Sequence, residues 1–337
     1  MTRAPLRWGI LGAADIAQKA LIPAILGAGD TVVAIASRDR ERALEMASGF
    51  GVAEVATYLE LIEAELDAVY IPLPNSLHQH WTLRAVAAGK HVLCEKPLAL
   101  TAAQAQSMRQ VAQERGVVLA EAVMYRYHPR WKLVHQAISQ GGVGNLRHLR
   151  GTFSFDLAPP PDIRWQVELG GGALYDLGSY LVSACRWLAG EPTRVLARQH
   201  TIHGVDGDGS MLLEFPSAGG PVSAELSYGF MAAEHQVLEV VGTHGSLLVP
   251  KPFTAWRHES IPLWLTTSRD QSAQPIATPE ADPYREMVVA FGERVRGGAG
   301  LLCDPADSES GLLVLDAARR SIASGSWEQP ERVSPES

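Results

Sequence analysis

Between Leu6 and Glu121 short apolar runs alternate with helix-like segments, and this rhythm constrains the fold more than any other feature of the chain. The runs are Leu6–Leu11, Thr31–Ser37 (TVVAIAS), Asp67–Pro72 (DAVYIP), His91–Glu95 (HVLCE) and Val117–Glu121. None shows the apolar–polar alternation of a strand with one wet face, so each needs cover on both sides. The segments Ile16–Leu26, Arg40–Ser48, Leu77–Ala88 and Ala102–Arg115 carry helical spacing between them. Strands covered on both faces and separated by helices predict an α/β fold built on a doubly wound parallel sheet.

The pattern changes near Tyr125. A helix over Arg130–Ser139 ends at Gly141-Gly142. Longer β-type segments follow: Leu146–Asp156, Arg194–His203, Ser210–Phe215, Val222–Tyr228, Gln236–Val241 and Ser246–Val249, with one helix, Ala173–Leu188, among them. Turn residues punctuate them at 204–209, 217–221 and 242–245, which predicts an open, mainly antiparallel sheet. Helices are expected over Tyr284–Arg296 and Ala306–Ser324, an extended loop over Thr266–Pro283, and a frayed end over 330–337. A chain of 337 residues suits two domains, placed at 1–125 and 126–337.

Composition removes several function classes. The net charge of −8 argues against a nucleic-acid partner. Cys94, Cys185 and Cys303 are far apart and form no C-x-x-C pair, so neither a disulfide scaffold nor a zinc site is expected. That use of cysteine fits a reducing, cytoplasmic setting. No window is long and apolar enough to span a membrane, and Gly9 and Gly12 break the first apolar run, which reads as a strand and not a signal peptide. His200, His203 and Asp206 pass from a predicted strand into a turn, where the two histidines face opposite sides; no metal site is expected.

Gly12-Ala13-Ala14-Asp15-Ile16-Ala17 lies between the first strand and the first helix and reads G-x-A-x-x-A. In the Rossmann fingerprint G-x-G-x-x-G/A, the first glycine permits the tight turn and the second lets a pyrophosphate approach the backbone. Ala14 replaces that second glycine. The helix start behind it favours a bound phosphate. At the end of the second strand stand Ser37, Arg38 and, a turn further, Arg42, where an acidic residue would select NAD. A hydroxyl and a guanidinium suit the 2′-phosphate of NADP, with NAD as the alternative cofactor. The competing reading has Arg38 solvated and Asp39 capping the next helix.

Glu95-Lys96-Pro97 closes the strand HVLC, at the sheet edge where open α/β folds bind ligands. Lys96 is either a cation for a reacting oxygen or a surface lysine. Gly170-Gly171-Gly172 leads into Ala-Leu-Tyr-Asp176-Leu-Gly-Ser-Tyr180. Asp176 and Tyr180 are four apart and share a helix face, where a carboxylate and a phenol can act on a hydroxyl. They also read as a helix-start aspartate and a half-buried tyrosine.

The turn GILGAADIA, Glu95-Lys96-Pro97, Met124–Pro129 (MYRYHP), Ile163–Trp165 (IRW) and GGGALYDLGSY together resemble the Gfo/Idh/MocA oxidoreductases over nearly the whole chain. Tyr180, where many members have histidine, resembles the glucose–fructose oxidoreductase and dimeric dihydrodiol dehydrogenase branch. The resemblance implies an N-terminal Rossmann domain and a C-terminal α/β domain for substrate binding and oligomerisation, with a homo-oligomer, dimer or tetramer, formed through the C-terminal sheet. It implies Lys96, Asp176 and Tyr180 as catalytic residues. It also places Leu73, Pro74, Asn75, His78 and Glu95 beside the cofactor. Arg126, Tyr127, His128, Arg164 and Trp165 are candidates for the substrate pocket. The implied activity is NADP-linked hydride transfer on a sugar, polyol or cyclic diol. A non-catalytic cofactor-binding regulator and an enzyme that recycles a retained nicotinamide are the alternatives.

Overall fold

The computed structural model describes residues 4–270, 272–299 and 301–331; the part of the expected frayed end at 332–337 lies outside them. The chain divides into two compact units, Met1–Ala99 with Ala103–Tyr127 and Asp282–Ser308, and Leu100–Ala102 with His128–Ala281 and Glu309–Ser337.

The first unit holds β1 (Arg7–Leu11), β2 (Thr31–Ala36), β3 (Glu54–Ala56), β4 (Ala68–Ile71), β5 (His91–Cys94) and β6 (Leu119–Glu121). They form one parallel sheet in the order β3-β2-β1-β4-β5-β6. The chain reverses direction across the sheet between β1 and β4, which creates a crevice at their carboxyl ends. Trp8, Ile10 and Leu11 of β1, and all four residues of β4, are fully buried, as unbroken apolar runs require. The strand β3 and the helix Tyr58–Glu63 were not anticipated, being too short to show a period. Their one readable sign is the capping box Thr57-x-x-Glu60, formed here with both reciprocal bonds.

The division into units departs from a boundary at 125/126 followed by one continuous domain. Helix Pro283–Val295 belongs to the first unit. Its Phe291 packs on the Trp8 ring at 5.1 Å between centroids, and both side chains have no exposure. Arg285 Nε donates to the Gly27 carbonyl at 3.0 Å, and Arg296 Nη2 donates to that of Ala4 at 2.8 Å.

The second unit holds β7 (Leu146–Asp156), β8 (Arg194–Ile202), β9 (Val205–Phe215), β10 (Val222–Gly229), β11 (Met231–Gly242), β12 (Gly245–Pro250), β13 (Leu263–Thr267) and β14 (Gln274–Ile276). Their order is β14-β13-β12-β11-β7-β10-β9-β8, antiparallel except for the parallel pair β7–β10. Val222, Ala224, Leu226 and Tyr228 of β10 are buried while Glu225 between them is exposed, the signature of a sheet with one covered face. Helix Ser179–Ala189 lies on that face. A Cβ on Gly151 of β7 would stand 2.7 Å from Leu181 Cδ2, so a side chain there would force the leucines packed between strand and helix to shift.

Two local expectations are corrected. The turn at 204–209 contracts to His203-Gly204, both with positive φ (51° and 87°), and β9 begins at Val205. This is the two-residue hairpin geometry whose twist matches the flanking strands. The loop expected over Thr266–Pro283 contains the end of β13 and all of β14; its Pro275 is tolerated because β14 is an edge strand.

Because Phe291 completes the core of the first unit, Phe291→Ala should cost about 3–5 kcal/mol of unfolding free energy. A fragment ending at Tyr127 should lack a cooperative denaturant transition. Cooperative unfolding of that fragment, followed by circular dichroism, would show the late helix to be dispensable.

Candidate active site

The cradle begins where β1 ends. Gly12 has φ +139°, and a Cβ there would sit 3.0 Å from Leu73 Cδ2, so conformation and space both call for glycine. The helix behind it opens with a π-helical turn, Ala17–Leu21, and continues as α-helix over Ile22–Gly27. Asp15, at its start, is exposed and pairs with Lys19 at 3.6 Å and Arg42 at 3.4 Å. Arg42 is therefore tied to the cradle. Asp39 caps helix Arg40–Phe50, accepting from the Glu41 and Arg42 amides, and Ser37 Oγ accepts from the Asp39 amide at 3.1 Å. Arg38 is exposed and makes no hydrogen bond or ion pair among the described residues. The aspartate thus caps the helix, and the Arg38 guanidinium lies in solvent. Ala13 is buried at the turn itself, and no side chain larger than a methyl occupies Ala13 or Ala14. The turn fits a dinucleotide phosphate approaching its backbone.

The loops after β4 and β5 carry the next group. Leu73 is buried and Pro74 precedes the short 3-10 turn Asn75–Leu77. His78, which starts the helix His78–Ala87, is wholly buried. Glu95 accepts a 2.5 Å bond from the Tyr70 hydroxyl, and its other oxygen accepts from the Lys96 amide at 3.3 Å. Burial raises the Glu95 carboxyl above the ordinary glutamate range, while the Tyr70 bond and the Lys96 charge oppose that rise. Lys96 is half-buried, and its peptide bond to Pro97 is cis. Just beyond, the Leu98 amide donates to Glu121 Oε1 at 2.9 Å.

In the second unit the three glycines have separate causes. Gly170 has φ +74° and ends a 3-10 turn. A Cβ on Gly171 would collide with the Arg164 carbonyl, and one on Gly172 (φ +110°) with the Asp206 carboxylate. Asp206 enters that space and accepts from the Leu174 amide. It thereby caps the helical segment that carries Asp176 and Tyr180. That segment begins as a π-helical turn, Leu174–Gly178, so α-helical spacing does not govern the pair as the sequence suggested. Each side chain has its own support. Asp176 Oδ2 accepts from Arg164 Nε at 2.8 Å, and Asp162 holds the same guanidinium at 3.3 Å. The Tyr180 ring packs edge-on against Phe153 at 5.6 Å and tilted against Phe253 at 5.3 Å.

The other substrate candidates are engaged in packing. In the first unit Arg126 donates to Asp307 at 2.7 Å and to the Leu302 carbonyl at 3.2 Å, and its side chain is buried; Tyr127 is buried beside it. The structure gives Arg126 an internal ion pair in place of the expected substrate contact. In the second unit Trp165 is 4% exposed, donates to the Ala158 carbonyl and packs on Phe230, so its face is not open to a sugar. His128 is buried and accepts from the Arg130 amide; burial and the Arg130 charge lower it to about 4. Arg164 stays partly open, at 40% side-chain exposure. Tyr70, Glu121 and Asp206 were not singled out as site-shaping residues, because their partners lie far away in sequence. Among the described residues no cluster of metal-ligating side chains occurs.

Residues 6–123 match the family model of the GFO/IDH/MocA oxidoreductases, an NAD-binding Rossmann fold, and residues 131–248 match the GFO/IDH/MocA C-terminal domain. The chain is 36% identical to the dTDP-3,4-didehydro-2,6-dideoxy-alpha-D-glucose 3-reductase of Saccharopolyspora spinosa, across 94% of its own length and 95% of the relative. It is 35% identical to D-xylose 1-dehydrogenase (NADP(+)) 2 of Haloferax volcanii, across 95% and 98%. The crystal structure of a 3-ketoreductase from Actinomadura kijaniata, in complex with NADP and TDP-benzene, matches with a TM-score of 0.87 and 33% identity, covering 94% of this chain and 98% of that one. The chain belongs to the GFO/IDH/MocA oxidoreductase family, and the expected family and fold class hold.

Burial raises the Asp206 carboxyl from 3.8 to about 6. The folded state then binds this proton more tightly than the unfolded chain, so stability falls as pH rises from about 4 through about 6. Asp206→Asn keeps an acceptor for the Leu174 amide and removes the titration. The wild-type minus variant difference in urea midpoint should decline over that window and flatten above it. A difference independent of pH would contradict the assignment.

Proposed function

We propose that this chain transfers a hydride between NADP and a hydroxyl or carbonyl carbon of a sugar, a related polyol or a cyclic diol. The observation that carries this reading is the place of Lys96: it closes β5 in the same sheet whose first turn forms the phosphate cradle. The names of the sugar reductase and xylose dehydrogenase relatives support the substrate class. Exposed Arg38 beside Ser37 supports NADP over NAD, as does the NADP held by the Actinomadura enzyme.

A nicotinamide cofactor bound at this cradle would supply the hydride chemistry. Tyr180 exchanges the proton of the substrate hydroxyl, and Lys96 stabilises charge developing on the reacting oxygen. An ordinary phenol, with a pKa of about 10, is a poor base at neutral pH, and a nearby cation favours the phenolate. Asp176 fixes Arg164, whose guanidinium offers more donors than its two carboxylate partners use. We assign Gly12 to Ile16, Ser37, Arg38, Arg42, Leu73 to Asn75 and Glu95 to the cofactor side.

A cytoplasmic location is supported by three buried, unpaired cysteines, and no helix among the described residues is long and apolar enough to cross a membrane. A homo-oligomer built on the second unit's sheet is supported by Leu212, Met231 and Leu248, apolar side chains exposed on its strands.

Purified protein given NADP and a panel of aldoses and cyclic diols should form reduced cofactor, read by absorbance. Tyr180→Phe should lower kcat by about a hundredfold or more with NADP affinity near wild type. Full turnover by that variant would remove Tyr180 from the chemistry. Arg38→Ala should weaken NADP about tenfold, or 1.4 kcal/mol, and leave NAD unchanged; equal loss for both cofactors would remove the 2′-phosphate contact.

A further inference from the structure

The imidazole of His78 meets a backbone carbonyl at each nitrogen. Nε2 lies 2.7 Å from the Leu73 oxygen and Nδ1 lies 2.8 Å from the Pro97 oxygen. Both are hydrogen-bond distances, and both partners can only accept. A neutral imidazole has one N–H and one lone pair, so it satisfies one carbonyl and sets a lone pair against the other. The two bonds coexist only when both nitrogens are protonated. The carbonyls belong to different loops. Leu73 follows β4 and precedes Asn75, whereas Pro97 follows Lys96 at the end of β5, and β4 and β5 are neighbours in the sheet.

We propose that His78 is a positioning residue which, carrying both ring protons, ties the Leu73–Asn75 loop to the Lys96–Pro97 loop and so holds Lys96 in register with the cofactor-binding turn. The role rests on the reading of these loops as parts of an oxidoreductase site. A ring with no exposed surface and both nitrogens engaged acts through the loops, and not as the direct cofactor contact that the family resemblance implied.

Two carbonyl acceptors favour the imidazolium. Burial opposes it, as does the ammonium of Lys96, the charged group that acts on the ring among the described residues; the net direction is below the ordinary histidine value. The position at a helix start opposes it too. Loss of one proton as pH rises leaves one loop tied and the other facing a lone pair. The grip on the cofactor therefore weakens as pH rises through the His78 titration.

The test uses the full chain labelled with 15N-histidine and free of cofactor, with NADP affinity measured in parallel across pH. Two protonated ring nitrogens on the acid side, one on the alkaline side, and an NADP Kd rising about threefold to tenfold in step are expected. His78→Gln places an amide donor near the Nε2 position and His78→Asn near the Nδ1 position. The glutamine keeps the Leu73 tie, so kcat should fall about tenfold with cofactor KM near wild type. The asparagine keeps the Pro97 tie and should show the reverse split. A singly protonated ring throughout the folded pH range overturns the proposal, as do identical losses in the two variants or an affinity that ignores the titration. If the wild type turns over no sugar, the sugar reading fails, while the spectra and the binding measurements still decide the role of His78. Should a variant not fold, the wild-type titration decides alone.

Discussion

Phe291 packed on Trp8 closes the first unit, and much of the chain's organisation follows from that contact. A parallel sheet with apolar side chains on both faces has to be covered on both. The helices interleaved with β1 to β6 do part of this. The rest comes from Pro283–Val295, which buries Tyr284, Met287, Val288 and Phe291. The first unit is therefore built from the N-terminal part of the chain and one late segment, Asp282–Ser308, while the strands of the second sheet lie between them in sequence and Glu309–Ser337 returns to the second unit.

At the carboxyl edge of the first sheet, buried polar side chains hold backbone groups that no strand or helix pairs. His78 reaches the Leu73 and Pro97 carbonyls, and Glu121 takes the Leu98 amide. Tyr70 steadies Glu95. Each bond fixes a loop that a dinucleotide-binding sheet must present in a defined place, and leaving such a group unpaired in the interior would cost about 1–3 kcal/mol. Asp206 does the same in the second unit for the turn ahead of Asp176 and Tyr180, entering space that Gly172 leaves open. In both units the candidate site residues stand on segments whose backbone is held by a distant acid or imidazole.

Much of this was legible in the chain itself. The unbroken apolar runs foretold a parallel sheet, and the turn residues between the later β-type segments foretold a mainly antiparallel one. Gly12 and the Gly170–Gly172 run marked turns; Gly12, Gly170 and Gly172 take positive φ, and Gly171 is needed for space beside the Arg164 carbonyl. The strand β3, at three residues, was too short to carry a period, and β14 hid behind Pro275 in a polar stretch. Arg126 and Trp165 looked like substrate contacts because charged and aromatic residues near a motif invite that reading. Burial assigned them to Asp307 and to Phe230.

The sequence by itself determined most of the strands and helices, the dinucleotide-binding class of the first sheet, and the residue types available for chemistry. These are local properties, written in periodicity and in glycine placement. Only the tertiary structure decided that the late helix joins the first sheet, that Asp176 holds Arg164, that Asp206 caps the glycine turn, and that His78 spans two loops. Those outcomes depend on groups far apart in the chain meeting where water is excluded. There an unmet hydrogen bond is costly and a buried ring needs a partner, and no local pattern in the sequence records which distant group will supply it.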